Sequence, residues 1–226
     1  MSRMSSRMVV SAVLVMCSVA PVFGQEEDDG ESAAAVMAPG DIDIGLSGGL
    51  GGLIYPHLAP SVEVGLLPLG PVVLSAGGTV DAGYCLLCDI VTSASDWNVN
   101  SWYFAVLGRA MVHIRDLAEN TPSSTPFDPY AGVLVGPRFY RFRVEYEPDG
   151  DSATFGLNTI MIGPSAGAKL FFGENRRWFG FAELSYLLEF GFESTEVEVG
   201  GVTYEVTSDD YRSGGLDISL GGGLRL

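Results

Sequence analysis

Eight stretches of this chain alternate apolar and polar residues with period two. The last is the plainest. Leu216, Ile218, Leu220, Leu224 and Leu226 fall on one side, and Asp217, Ser219 and Arg225 on the other. Successive side chains of a strand point to opposite faces, so this pattern marks a strand with one apolar and one polar face. The first stretch, Ile42–Leu53, sets Ile42, Ile44, Leu46 and Leu50 against Asp43 and Ser47. The second, Ser61–Leu67, sets Val62, Val64 and Leu66 against Glu63, and the third, Val72–Tyr84, sets Leu74, Val80 and Tyr84 against Ser75, Thr79 and Asp81. The fourth, Ser101–Arg115, places Trp102, Phe104 and Val106 opposite Arg109, His113 and Arg115.

The fifth stretch, Tyr130–Tyr146, starts with Ala131, Val133 and Val135 on its apolar face and resumes with Tyr140, Phe142 and Val144. The parity slips by one at Gly136-Pro137, which predicts a bulge there. The sixth, Leu157–Phe172, sets Ile160, Ile162 and Leu170 against Thr159, Ser165 and Lys169. The seventh, Arg177–Glu193, sets Trp178, Leu184, Tyr186, Leu188, Phe190 and Phe192 against Glu183, Ser185 and Glu189.

Residues 1–24 read as a secretory signal: Arg3 and Arg7, an apolar run from Met8 to Val19, and Val22-Phe23-Gly24 before an acidic segment. Residues 25–40, acidic and then small before Pro39-Gly40, read as a flexible leader, and 41–226 as one barrel domain. Removing the signal takes away two arginines and no acids, leaving 10 basic and 28 acidic residues. A chain of charge −18 lacks the clustered cations that hold nucleic acid. It is not disordered either, since 47% of it is hydrophobic and it carries 12 Phe and 9 Tyr. The two mature cysteines, Cys85 and Cys88, are a local disulfide or two inert thiols; no βαβ unit supports a redox motif and no further ligands support zinc.

Alternation alone does not say which face is inside. The apolar faces are long and end in aromatic residues, the polar faces are rich in Gly and Ser, and the chain has one lysine, Lys169. These features favour a barrel with its apolar side toward lipid and its charges in the lumen. Tyr84, Trp102 and Phe192 are then expected in an outer aromatic girdle, with Tyr55 beside them; Tyr130, Trp178 and Phe179 are expected in an inner one. In the lumen, Arg109 and Lys169 are expected to meet Asp81, Glu183 and Glu189 in a plug of salt bridges. His113 reads as a hydrogen-bond partner in the lumen. Arg141 and Arg143, near the outer end of the fifth strand, hold lipid phosphates or pair with Glu147 and Asp149. Links at one end are mostly short (68–70, 173–176) and those at the other mostly long and acidic (85–100, 147–155, 194–212), with the short link 54–60 and the longer stretch 119–128 breaking the contrast.

Signal, eight alternating segments, loop asymmetry and a terminal alternating strand together resemble the small outer-membrane β-barrel superfamily, the OmpA-transmembrane, OmpX and OmpW-like group. The resemblance covers about residues 41–226 and implies an all-β, eight-stranded antiparallel up-and-down transmembrane barrel in the outer membrane of a diderm bacterium. Membrane lipids and the outer-membrane insertion machinery are the implied partners; members of the group end in Phe or Trp where this chain ends in Leu226. A structural or surface-interaction role is expected, its surface ligand unspecified, with a narrow pore for water or small solutes as the alternative. Lipid deacylases of this architecture carry a His-x-Ser pair on a strand. His57-Leu-Ala and His113-Ile-Arg do not match it, so no enzyme activity, cofactor or metal is expected.

Overall fold

The computed structural model describes residues 36–51, 55–86, 88, 97–119, 126–146, 151–173, 176–192, 195–199, 202–206 and 211–226. The expected signal (1–24) and residues 25–35 of the leader lie outside the described residues. Among the described residues the elements run β1 (Ile42–Gly51), β2 (Tyr55–Leu69), β3 (Val72–Tyr84), β4 (Trp97–Ile114), α1 (Arg115–Glu119), β5 (Phe127–Tyr146), β6 (Asp151–Phe172), β7 (Trp178–Gly191), β8 (Thr195–Val199), β9 (Val202–Val206) and β10 (Arg212–Arg225). Strands β1 to β7 run up and down, each antiparallel to the one before. β10 then pairs with both β7 and β1, so the sheet closes into an eight-stranded barrel. β8 and β9 form a separate hairpin against β6.

The turns at the end holding both barrel termini are tight. Gly70 links β2 to β3 at φ 63° and Gly173 leaves β6 at φ 85°, backbone angles that a side chain resists. The contrast in link length is partial: at the outer end the links after β3 and β7 are long, but β1 and β2 are joined through residues 52–54 and β5 and β6 through 147–150, shorter than the expected 147–155, while at the other end β4 and β5 are joined through 115–126.

The alternation resolves as an inside-out barrel. Leu46 is 50% exposed, Trp178 57% and Leu220 65%, whereas Glu63, Asp128 and Lys169 are buried in the interior. A continuous apolar exterior over a charged interior suits hydrocarbon as the surrounding solvent, because closure satisfies every ladder hydrogen bond within the sheet.

Three sequence expectations need correction. The bulge at Gly136-Pro137 does not form: β5 pairs with β6 without interruption from Phe127 to Tyr146. The parity is constant, so Arg138 and Tyr140 point into the lumen while Arg141 and Arg143 point out. What changes is the solvent outside. Ala131, Val133 and Val135 face hydrocarbon, and two strand positions beyond Phe139 the outward residues are arginines. A strand needs about 9–11 residues to cross a bilayer. The 20 residues of β5 and 22 of β6 therefore carry the sheet beyond it. The register shift lies instead on β2, between Gly65 and Leu67.

Strand β2 also starts earlier than its alternation suggested, at Tyr55. Pro56 and Pro60 had made residues 54–60 read as a link. Finally, Val36–Gly40, the end of the expected flexible leader, is tied to the barrel. The Met37 amide donates to Asp128 at 3.2 Å, Gly40 N–H donates to Gly65 O at 2.9 Å, and Met37 is fully buried.

Candidate functional site

The interior is the part of this molecule with chemistry. Each inward position belongs to one strand, and the barrel curls those rows until side chains from opposite strands meet. Two charged layers result.

The layer nearer the termini is centred on Lys169, whose ammonium donates to Asp43 at 2.7 Å and Glu63 at 2.9 Å. Arg225 clamps Asp43 through Nε (2.7 Å) and Nη2 (2.8 Å), and Nη2 also reaches Asp128 at 3.1 Å. His113, fully buried, places Nδ1 2.8 Å from Asp128 and Nε2 2.8 Å from Glu63. A carboxylate oxygen thus faces each ring nitrogen, an arrangement that suits a ring donating from both. Above it, Arg109 takes Glu183 in a two-pronged pair at 3.2 and 2.6 Å, and the Tyr130 hydroxyl donates to Glu183 at 2.9 Å.

The outer layer gathers Arg138, Glu189, Asp81, His57 and Asp217. Arg138 bonds Glu189 and lies 3.7 Å from Asp81, with its guanidinium 4.2 Å from the Tyr103 ring centre. Tyr140 donates its hydroxyl to Glu189 at 2.9 Å and Tyr103 donates to Asp81 at 3.0 Å. His57 points Nδ1 at Asp81 Oδ1 (2.8 Å) and Nε2 at Asp217 Oδ1 and Ser219 Oγ, both at 3.3 Å. Leu107, between Tyr103 and Arg109 on β4, and Leu134, between Tyr130 and Arg138 on β5, are buried between the layers. Beyond the outer layer, Tyr55, Tyr103 and Tyr140 pack edge to face and Phe142 stacks on Phe155, so the outer mouth is filled with rings.

Set against the sequence expectations, Arg109 and Glu183 lie together. Lys169 instead takes Asp43 and Glu63, and Asp81 and Glu189 belong to Arg138, which the expected bulge had hidden. Strict alternation through Gly136-Pro137 would have placed Arg138 inside. His57 was missed because its segment read as a link. Arg115 starts α1 rather than lining the lumen. Of the expected girdle residues, Trp102, Trp178 and Phe192 are exposed on the outside and Tyr84 is half-exposed. Tyr130 is not a girdle residue: it is 2% exposed and faces inward, as do Phe179 and Tyr55. Interior tyrosines were indistinguishable in sequence from girdle tyrosines because both flank charges near strand ends. Cys85 and Cys88 form a disulfide at the outer end of β3.

The ten Lys and Arg residues beyond residue 24 fall in three places. Arg109, Arg138, Lys169 and Arg225 are inside. The others stand at the two ends of the barrel wall, Arg141, Arg143 and Arg212 at the outer end and Arg115, Arg176 and Arg177 at the other. Arg143 lies 3.7 Å from Glu145.

No family model matches this sequence and no curated protein matches it. Among solved structures, the chain is similar to a major outer membrane protein from Thermus thermophilus, at TM-score 0.58 and 15% identity, covering 82% of this chain and 99% of that one. It also matches Neisserial surface protein A at TM-score 0.39 and 13% identity, over 81% of this chain and 94% of that one. A third match is CarO from Acinetobacter baumannii, at TM-score 0.38 and 12% identity, over 83% and 97% of the two chains. The chain has the fold of the small eight-stranded outer-membrane β-barrels.

Proposed function

We propose that this protein is a closed, non-conducting barrel of the outer membrane, serving as a structural element whose acidic outer loops interact with other envelope or surface components. The observation that carries this reading is the filled lumen. Among the described residues, two layers of ion pairs, buried leucines between them and stacked rings above occupy the lumen, and the cavity beside Arg109 and Lys169 measures about 20 Å³. That is room for about one water molecule rather than a path. Arginines at both ends of the wall suit lipid phosphates, and the outer links supply Asp89, Asp96, Glu147, Asp149, Asp209 and Asp210 to whatever approaches from outside. Insertion by the outer-membrane assembly machinery belongs to the same reading.

Hydrolysis is disfavoured by the geometry. Ser75, His113 and Asp128 have the order of a nucleophile, base and acid, but Ser75 donates to Glu63, and Glu63 also stands 2.8 Å from His113 Nε2, the nitrogen a nucleophilic serine would need as its base. Reconstitution of purified protein in planar bilayers tests the closed-lumen reading. Quiet membranes are expected; reproducible single-channel steps would replace it with the narrow pore.

A further inference from the structure

The two interior histidines differ in a way that ion pairing does not explain. His113 is held at hydrogen-bond distance by carboxylates on both sides, 2.8 and 2.8 Å. His57 has one such partner, Asp81 at its Nδ1. Its Nε2 stands 3.3 Å from both Asp217 Oδ1 and Ser219 Oγ, and those two oxygens are 3.2 Å apart. The three atoms form a nearly equilateral triangle, long for hydrogen bonds to an imidazolium. Ligands about 2.0–2.1 Å from a tetrahedral ion stand about 3.3–3.4 Å from one another.

The charges give an independent reason. In the layer near the termini, Arg109, Lys169, Arg225 and a protonated His113 would match Asp43, Glu63, Asp128 and Glu183, and the remaining carboxylate, Asp41, 3.7 Å from Arg225, is 29% exposed and so has solvent. In the outer layer, Arg138 alone faces Asp81, Glu189 and Asp217. Protonating His57 still leaves that layer one positive charge short, in a place where unpaired charge is costly. A divalent ion in place of the proton closes the count.

We propose that His57 Nε2 and Asp217 Oδ1 bind a divalent transition-metal ion such as Zn²⁺, with Ser219 Oγ and a water, or two waters, completing a four-coordinate site. Asp81 orients the ring by accepting the Nδ1 proton, the usual support for a metal-bound imidazole. An imidazole nitrogen selects zinc-like ions over Mg²⁺ and Ca²⁺. Gly49 leaves room for the ring: a Cβ there would stand 2.1 Å from the Ile218 carbonyl oxygen of the neighbouring strand and 2.5 Å from His57 Nε2, so both the sheet and the ring need glycine at this place. The Asp217 side chain is 11% exposed, which leaves the site within reach of solvent. The inference rests on the outer layer alone and holds whether or not the lumen conducts.

The test uses the full mature chain without a histidine tag, stripped with EDTA and folded in detergent. Zn²⁺ is titrated by equilibrium dialysis with elemental analysis, and thermal midpoints are followed by the gel mobility of unboiled samples. The expected result is one saturable zinc per chain and a midpoint raised by Zn²⁺ but not by Mg²⁺. His57→Gln abolishes both effects, and Asp81→Asn weakens binding by about 10–100-fold. Asp217→Asn also abolishes binding, yet its metal-free midpoint stays at or above that of the parent, because the layer is then balanced by a protonated His57. Should His57→Gln fail to fold, Asp217→Asn decides the matter. Absence of saturable zinc in the parent, or zinc binding unchanged in Asp217→Asn, overturns the proposal; the latter would place the ion on the acidic loops.

Discussion

Replacing Arg109 with methionine is the most direct way to weigh the charged interior. The Arg109 side chain is 10% exposed and that of Glu183 7%, so neither has bulk water to fall back on. With Arg109 gone, Glu183 keeps one neutral donor, the Tyr130 hydroxyl at 2.9 Å. Stranding one member of a buried pair typically costs about 3–5 kcal/mol. For a chain of this size about 2–4 °C of midpoint accompanies each kcal/mol, so the fall should be about 6–20 °C. Replacing Glu183 as well, in Arg109→Met/Glu183→Met, removes the stranded charge. Exchanging both members of a buried pair for apolar groups of similar volume is often neutral. The double variant should thus recover most of the loss, a coupling of about 2 kcal/mol or more. Urea unfolding in lipid vesicles, read by tryptophan fluorescence and by gel mobility, measures the parent, the two single variants Arg109→Met and Glu183→Met, and the double variant. Costs that simply add, or a single variant within about 0.5 kcal/mol of the parent, would refute the view that these ions are held as mutually dependent pairs.

Two further predictions address the wall and the mouth. Val133→Arg puts a charge at the middle of the lipid-facing row of β5 and should destabilise the barrel by about 2–4 kcal/mol in vesicles, whereas Arg141→Leu at the outer boundary should change it by about 1 kcal/mol or less; equal costs would argue against the membrane placement. Asp41 lies outside the strands, and burial pushes its carboxyl above the ordinary aspartate value of 3.8 despite the Ala38 amide and Arg225 nearby. Since the folded state then holds the proton more tightly than the unfolded one, ionised Asp41 reduces stability as pH rises through and above that value. Asp41→Asn should therefore raise the midpoint at pH 7 and give no advantage below about pH 3.8, as paired melts at the two pH values would read.

The period of two carried most of the architecture, because one face of every strand meets hydrocarbon and the other meets ions. β3 spans Val72–Tyr84 as its alternation indicated. The pattern failed where the solvent outside changes rather than the strand itself. On β5 a polarity reversal looked like a bulge, and its interior arginine was lost with it. The β8–β9 hairpin was also legible, since Thr195–Val199 and Val202–Val206 alternate around Gly200-Gly201, a strong two-residue turn signal. It was read as loop because its residues lie in an acidic link. The partnerships inside the lumen were not legible. Lys169 meets Asp43 across 126 residues because of strand tilt and the offset at which the sheet closes, and neither quantity is written in local periodicity.

The clamp between Arg225 and Asp43 joins the last strand to the first, 182 residues apart. Neither ion can find the other until the seam between β10 and β1 shuts. A half-inserted sheet would hold both bare beside acyl chains, the least tolerant surroundings for an ion. Assembly of this chain is therefore expected to be all-or-none at its final step: the ions that fill the finished barrel also act as a latch, penalising release into the bilayer before the ring is complete.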